Sequence, residues 1–375
     1  MIDKASLSGQ WLEEKRTQYK KDPGIIEGMI HALYLLDQLK LTGLDFIFKG
    51  GTSLVLLMDK PLRFSVDIDI IIDPSITRDV LEEHLSKIAA SSEFIRMELD
   101  ERRSYKDGIP KAHYKFIYHS NVSTRNKEGE VVSNPKREIL LDVLFSTNPY
   151  PVLIQREIKT DWVAMSGEPL TVRTPDINSI AGDKLVAFAP CTTGVPYGVE
   201  KEKEILKQLF DVGNLFHLIG DMEVFRASYH TSAESEIKYR PERNIASVQA
   251  ILQDTIDTAK LIARREFHHA DDEDSKMKYS EISKGINQFG HFVFEGYFRI
   301  DHAQVASAKA AYLAALLLTG SKDKPEIFDA AVAAREDLVA HPEYNFLNKR
   351  LKFVAEGEAL FYWRRIIKLL HPEQT

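Results

Sequence analysis

The spacing of apolar residues divides the first 145 residues into alternating helices and strands. Apolar positions three and four apart predict an amphipathic helix over residues 24–41. Residues 44–48 then predict a short strand, residues 52–58 a helix, and residues 64–72 a second strand rich in β-branched side chains. A helix from Thr77 to about Ser91 follows, and further strands are predicted at 94–103, 111–119 and 138–145.

Beyond residue 170 the predicted elements are helices, and from Asp221 to the end the pattern is helical throughout. Residues 174–179 lead into a helix that contains 181–188, and further helices are predicted at about 201–219, 243–267, 279–297, 301–319, 324–340 and 345–370. The segment 189–199 is too rich in glycine and proline for a helix, and we interpret it as a mobile loop. A chain of 375 residues is long enough for two domains. We therefore predict an α/β domain with a mixed sheet over residues 1–170 and an all-helical domain over 171–375.

Two aspartates occupy alternate positions of the predicted strand 64–72. Side chains alternate across a strand, so Asp67 and Asp69 should point to the same face. Two neighbouring carboxylates repel each other and are costly to desolvate, and a bound cation relieves both problems. Because hard oxygen ligands suit Mg²⁺, the pair predicts a magnesium site.

A glycine pair just before the predicted helix 52–58 supplies a second kind of chemistry. Gly50 and Gly51 allow the backbone to approach a ligand closely, and Thr52 and Ser53 offer hydroxyls at a helix start. Backbone N–H groups at that end favour a phosphate. A glycine turn and cap without function is the alternative for this motif taken alone.

Lys49-Gly-Gly-Thr-Ser-Leu54 and Arg63-Phe-Ser-Val-Asp-Ile-Asp69 together resemble the signature of the DNA polymerase β-like nucleotidyltransferase superfamily, and more closely its AbiEii/AbiGii toxin branch. The resemblance implies a polymerase β-like nucleotidyltransferase domain. It implies that Asp67, Asp69 and Asp142 hold Mg²⁺, with Mn²⁺ as an alternative. It also implies a nucleotide site formed by Lys49, Gly50, Gly51, Thr52, Ser53, Arg63 and Ser65.

The same resemblance extends into the predicted helices after residue 174. Its lysine motif corresponds to Lys184 and its final aspartate to Asp211, with Gly182 and Gln208 standing where alanine and arginine are usual. Lys184 would contact the triphosphate, and Asp211 would orient that lysine or touch the nucleotide. These first helices are expected to complete the active site. The alternative is an ordinary exposed ion pair between two packed helices.

The resemblance implies transfer of a nucleoside monophosphate from an NTP to an acceptor hydroxyl. In characterised relatives the acceptor is the 3′ end of tRNA, and the enzyme is the toxin of a toxin–antitoxin or abortive-infection system with a cognate antitoxin. A protein hydroxyl or a small-molecule hydroxyl is an alternative acceptor. A non-catalytic nucleotide-binding module is a further alternative, although Asp67, Asp69 and Asp142 are all present.

Charge and composition refine the expected partners. The chain carries a net charge of −7, one cysteine and no apolar run of membrane-spanning length, so we expect a cytoplasmic protein without a disulfide framework. Residues 96–137 hold ten Lys and Arg against six Asp and Glu, around Tyr105, Tyr114 and Tyr118. This segment is a candidate RNA surface, with a solvated set of strands as the alternative. Arg364 and Arg365 are second candidates, whereas His268 and His269 are interpreted as part of a solvated acidic loop.

Overall fold

The computed structural model describes residues 1–58, 60–126, 128–265 and 272–374. The chain forms two compact units. The first comprises Met1–Asp176 together with His291–Gly296, and the second is built from the chain between and after these segments, beginning at Ile177. The loop interpretation of His268 and His269 lies outside the described residues.

The described residues of the first unit form four α-helices and nine strands. The helices are α1 (Gly9–Tyr19), α2 (Pro23–Leu41), α3 (Gly50–Leu57) and α4 (Arg78–Ser91). The strands are β1 (Ile47–Lys49), β2 (Ile68–Ile72), β3 (Arg96–Leu99), β4 (Lys111–His119), β5 (Thr124–Arg125), β6 (Val131–Val132), β7 (Lys136–Phe145), β8 (Leu153–Glu157) and β9 (Thr171–Pro175).

Seven of these strands form one mixed sheet in the order β3-β4-β7-β2-β1-β9-β8, and β5 and β6 form a separate ribbon. The pairs β2–β7 and β1–β9 are parallel, while the other neighbours are antiparallel. The mixed sheet followed by helices confirms the predicted fold class. The edge strand β8 and its neighbour β9 were not predicted, and neither was α1.

The main core of this unit lies on one face of the sheet. Phe48, Ile70 and Val143 point to that face from three adjacent strands and are at most 1% exposed. Helix α2 supplies the other half of the core, and Asp22 caps it by accepting a hydrogen bond from the N–H of Ile25 at 3.0 Å. Because side chains alternate, the opposite face of the same strands receives the polar residues.

A short segment of the chain returns to the first unit from a distant point in the sequence. The Phe64 N–H donates to the Phe292 carbonyl at 2.8 Å, and the Phe294 N–H donates to the Leu62 carbonyl at 2.9 Å. The Phe294 ring then packs against Phe64 and Trp162, with centroid distances of 5.4 and 4.9 Å. These contacts explain why the predicted strand 64–72 begins in the sheet only at Ile68: its first residues pair with this segment instead.

The second unit is helical. Its helices are α5 (Ile177–Ala187), α6 (Glu202–Leu215), α7 (Met222–Lys238), α8 (Val248–Arg264), α9 (Glu273–Phe289), α10 (Ile300–Leu318), α11 (Ala330–Ala333), α12 (Phe346–Leu351) and α13 (Glu358–Leu370). Helix α10 forms much of the core, with most of its residues buried. No helix in the described ranges is both long and apolar enough to span a membrane.

Several sequence predictions after residue 176 differ from the structure, among them the helix predicted at 279–297, which ends as α9 at Phe289. The helix predicted at 324–340 is limited to the four residues of α11, because the tyrosine hydroxyls of Tyr312 and Tyr362 accept hydrogen bonds from the backbone N–H groups of Glu326 and Phe328. The helix predicted at 345–370 is interrupted where residues 355–357 adopt positive φ. The segment 189–199 forms a loop as predicted, and the Thr193 hydroxyl within it donates to the carbonyl of Val186 at 2.6 Å; its mobility stays a prediction.

Candidate active site

Four polar side chains lie in one row across four neighbouring strands. Lys49 on β1 is opposite Asp69 on β2, and Asp69 is opposite Asp142 on β7. Asp142 is in turn opposite His113 on β4. Residues directly opposite each other share a face of the sheet, so the parallel β2–β7 pairing brings two carboxylates together although 72 residues separate them in sequence.

The Gly50 backbone lies directly against the Asp69 carboxylate. Gly50 has a φ of +81°, a conformation that other residues rarely adopt. A Cβ atom at this position would stand 2.0 Å from Asp69 Oδ2. Helix α3 begins at this glycine, and its N-terminal end favours negative charge. Position 50 therefore has to be glycine for both a backbone reason and a packing reason.

Gly51 is closely packed as well. A Cβ atom there would stand 2.5 Å from Arg63 Nη2 and 3.0 Å from Ser65 Oγ. Arg63 and Ser65 are 6% and 7% exposed, and Arg63 Nη1 donates to the Phe64 carbonyl at 3.0 Å. In this structure both side chains therefore support the glycine turn from within the protein, while their predicted contact with a nucleotide stays a prediction.

The two hydroxyls of the motif also have partners inside the protein. Thr52 Oγ1 donates to the Asp67 carbonyl at 2.5 Å and lies 2.9 Å from Ser65 Oγ. Ser53 Oγ donates to the Gly50 carbonyl at 2.9 Å. Both side chains are fully buried. They tie the turn to the residue that precedes β2, so a phosphate at this turn would meet backbone N–H groups before it met these hydroxyls.

Asp142 forms a hydrogen bond that the sequence did not predict. His113 Nδ1 lies 2.5 Å from Asp142 Oδ1, and the two side chains are 13% and 33% exposed. The alternation of polar and apolar residues along β4 could have placed His113 on the polar face, which it shares with Lys111 and Lys115. Which residue His113 faces depends on the register of β4 against β7, which local patterning does not specify.

Lys184 and Asp211 lie in the second unit. Lys184 Nζ is 3.1 Å from Asp211 Oδ2 and donates to Gln208 Oε1 at 3.2 Å. The two side chains are only 6% and 2% exposed, so the alternative of an exposed ion pair is wrong. Gln208, which stands where an arginine is usual, is uncharged and leaves the ion pair with a single carboxylate and a single ammonium in these contacts.

The carboxylates of the row have the chemistry that Mg²⁺ prefers. Within the described ranges, no three His, Cys, Asp or Glu side chains converge as a ready metal cage. Mg²⁺ usually takes one or two carboxylates and completes its shell with waters and substrate phosphates. Asp69 and Asp142, in register on adjacent strands and both partly exposed, fit that mode of binding. Asp67 precedes β2 by one residue and is partly exposed as well.

The basic segment 96–137 is partly neutralised by its own surroundings. Arg96, Lys115 and Arg137 lie within 4 Å of the carboxylates of Glu98, Glu138 and Glu27, respectively. By contrast, Arg102 and Arg103 are exposed and form no ion pair with another described residue. Only part of the positive charge counted in the sequence is therefore available to a ligand.

The tyrosines of this segment also differ in access. Tyr114 and Tyr118 are buried in the core, where burial raises the pKa of both phenols, and they offer no face to a base. Tyr105 is 37% exposed and lies beneath Arg78, whose Cζ is 5.1 Å from the ring centroid. Of the three tyrosines that the sequence suggested for stacking, Tyr105 alone is accessible.

A cavity of about 670 Å³ opens elsewhere in the first unit. Tyr19, Trp162 and Phe294 form an aromatic wall, and the exposed Lys60 and Lys159 stand at its rim. None of the residues of the polar row lines it. The cavity is therefore separate from the candidate active site.

A mixed sheet with opposed carboxylates beside a glycine turn, followed by a helical part, defines a nucleotidyltransferase class of protein. Residues 34–286 match the family model described as the nucleotidyl transferase AbiEii toxin of type IV toxin–antitoxin systems. The match covers more than half of the chain, and the chain belongs to this family. No curated protein matches it.

Proposed function

We propose that this protein transfers a nucleoside monophosphate from an NTP to an acceptor hydroxyl with the help of Mg²⁺, with Mn²⁺ as a substitute. The observation that carries the proposal is the register of β2 and β7, which sets Asp69 opposite Asp142 beside the glycine turn. Two opposed carboxylates can hold a metal ion against a triphosphate. The alternative of a non-catalytic module would not require both carboxylates to remain accessible.

Each residue of the site has a proposed role. Asp67, Asp69 and Asp142 would hold the metal, which when bound neutralises charge that develops on the phosphates. The backbone at Gly50 and Gly51 would accept the triphosphate, aided by the start of α3. Lys49 is in register with Asp69 and adds positive charge at the same end of the row.

Lys184 and Asp211 enter the proposal through the family resemblance. Lys184 would contact the triphosphate, and Asp211, 3.1 Å from its ammonium, would orient it. Their proposed contact with the nucleotide rests on the motif alone. In this role the nearly complete burial of the pair would keep the ammonium in one position.

We propose RNA as the acceptor, and the 3′ end of tRNA in particular. A protein with a net charge of −7 binds RNA through local positive charge. The β3–β4 connection provides Arg102, Arg103 and the accessible Tyr105 on the same hairpin that carries His113. Cationic and aromatic side chains together suit a single-stranded end. As a toxin in the cytoplasm, the protein would be restrained by a cognate antitoxin, as its family implies.

The first experiment identifies both the activity and the acceptor. The purified protein is incubated with each α-labelled NTP in turn, with Mg²⁺, and with total cellular RNA or total cellular protein. We expect label in the RNA fraction, at the size of tRNA, with one or two of the NTPs. EDTA should remove the signal, and excess Mg²⁺ or Mn²⁺ should restore it.

Asp69→Asn is the matched control for that experiment. It removes one charge of the row while keeping the size of the side chain, and we expect transfer to fall by at least ~10³-fold because a metal carboxylate is lost. If label appeared in the protein fraction alone, the acceptor would be a protein hydroxyl and not RNA. Transfer by Asp69→Asn within tenfold of the wild-type rate would remove this site from consideration.

A further inference from the structure

We propose that His113 is a positioning residue for the transfer reaction: it holds the Asp142 carboxylate in one orientation by a hydrogen bond to one of its two oxygens. The inference rests on the proposed function, in which Asp142 acts in transfer. It adds a residue outside the motifs that led to that function, and it assigns a role to the hydrogen bond between β4 and β7.

The direction of this hydrogen bond follows from the chemistry of its two groups. An ionised carboxylate only accepts hydrogen bonds, so the proton between Asp142 Oδ1 and His113 Nδ1 belongs to the imidazole. Hydrogen bonds to a charged acceptor are stronger than neutral ones, and His113 Nδ1 lies within hydrogen-bonding distance of Asp142 Oδ1. One oxygen of Asp142 is therefore engaged, and Oδ2 is the oxygen that this bond leaves out.

The imidazole is itself attached to a well-fixed backbone. Strand β4 has neighbours on both sides, β3 and β7. The His113 N–H donates to Ser104 Oγ at 2.8 Å, and its carbonyl accepts from the Asp100 N–H at 2.8 Å. With a side chain only 13% exposed, His113 has little freedom to leave Asp142. A partner held in this way orients a carboxylate more firmly than a long, flexible side chain would.

The two opposed carboxylates are thus fixed by different means. Asp69 is confined by contact with the Gly50 backbone, where even a methyl group would not fit. Asp142 has no glycine beside it and is a third exposed, so His113 supplies the constraint. Loss of groups that orient metal-binding side chains typically lowers affinity or activity by about 10–100-fold. We expect the same range for loss of the imidazole.

The test compares three variants on β4. His113→Ala should lower kcat by about 10–100-fold with KM for the NTP within about twofold, because the nucleotide contacts remain. His113→Asn keeps an N–H donor near the position of Nδ1 and should recover most of the lost kcat. His119→Ala is the matched control, since His119 lies on the same strand and the same face but is exposed; it should behave as wild type.

A second measurement does not depend on activity. In protein labelled with ¹⁵N-histidine, the Nδ1 proton of His113 should give a downfield NMR signal that is absent in His113→Asn and strongly shifted in Asp142→Asn. The two residues should also be coupled: in an Asp142→Asn background, His113→Ala should cause no further loss of transfer.

The outcomes separate this inference from the proposed function. If Asp142→Asn abolishes transfer while His113→Ala leaves kcat within twofold of wild type, the positioning role is wrong and the proposed role of Asp142 stands. Full additivity of the two substitutions, or an unchanged Nδ1 signal in Asp142→Asn, would equally overturn it. If neither Asp69→Asn nor Asp142→Asn affects transfer, the proposed site itself is wrong.

Discussion

The candidate site residues of the two units are held in opposite environments. In the first unit, Asp142 stays one-third exposed beside His113, and Arg102 and Arg103 face solvent. In the second unit, Asp211 is almost completely buried against an ammonium group. The first arrangement keeps charge accessible to a ligand, whereas the second neutralises charge inside the protein. Removal of a charge should therefore affect mainly binding and chemistry in the first unit and mainly stability in the second.

Two arginines of the second unit are also neutralised by carboxylates. Arg364 and Arg365 both form ion pairs with Glu336, and Arg365 also contacts Glu326 at 3.0 Å. Their side chains are 15% and 14% exposed. The suggestion from sequence that these arginines are available to a nucleic-acid backbone is therefore not supported by their contacts.

The largest expected effect comes from breaking the buried ion pair. Asp211→Ala leaves the Lys184 ammonium buried without its carboxylate, which should lower the free energy of unfolding by about 3–5 kcal/mol. The matched change in the first unit, Asp142→Ala, should alter it by less than about 1 kcal/mol, since that carboxylate is accessible and its repulsion with Asp69 is relieved. Urea unfolding at pH 7 measures both.

The double variant Lys184→Met/Asp211→Leu separates stability from activity. Apolar side chains of similar volume should restore most of the lost stability. Transfer should remain impaired if Lys184 also contacts the triphosphate. Equal stability losses in Asp211→Ala and Asp142→Ala would contradict the comparison between the two units.

A smaller effect is expected at the glycine turn. Gly50→Ala places a methyl group where Asp69 Oδ2 lies and also strains the backbone at a φ of +81°. Gly43→Ala is its matched control, with a φ of +79° and no atom within 4 Å of the new Cβ. Both variants should lose about 1–2 kcal/mol for the left-handed conformation. Displacement of Asp69 should add about 1–3 kcal/mol at Gly50 alone.

Measuring transfer activity as well as stability makes the comparison of Gly50→Ala with Gly43→Ala more decisive. Gly50→Ala should lose transfer because Asp69 has to move, whereas Gly43→Ala should retain it. Thermal unfolding combined with the labelled-NTP assay measures both properties. A Gly50→Ala protein as stable and active as Gly43→Ala would mean that Asp69 tolerates displacement and that the turn does not confine it.

The smallest effect is expected from the accessible arginines. Reversal of Arg102 and Arg103 to Glu should raise the apparent KM for RNA, leave NTP binding unchanged, and reduce the slope of log K against log salt by about 0.7 for each lost phosphate contact. The paired arginines are the comparison: Arg364→Ala/Arg365→Ala should reduce stability without changing that slope. An unchanged slope after the reversal would mean that these arginines do not contact RNA.

Local sequence patterns were sufficient to predict some elements of the first unit. Helix α2 and strand β4 were predicted almost residue for residue, because their apolar spacing is regular and their ends are marked by a cap or a turn. Strand β8 was missed because it lies at the edge of the sheet and carries exposed polar residues such as Gln155 and Glu157. Edge strands need no continuous apolar pattern.

Only part of the candidate site could be predicted from local sequence patterns. Asp67 and Asp69 are conspicuous in sequence, since two carboxylates in an apolar strand need a physical explanation. The opposition of Asp69 and Asp142, and the bond from His113, depend on the register between strands that are distant in the chain. Register is a property of the assembled sheet. The burial of Thr52 and Ser53 likewise follows from tertiary contacts that no motif specifies.

The returning segment His291–Gly296 has a consequence for how the protein is made. The rings of Phe64 and Trp162 pack against Phe294, which the ribosome adds 132 residues after Trp162. A nascent chain that ends at residue 176 already contains the glycine turn and all three site aspartates, yet it lacks the backbone partner of Leu62 and Phe64. During synthesis, the unit that carries the candidate active site is therefore finished only after most of the second unit has been made.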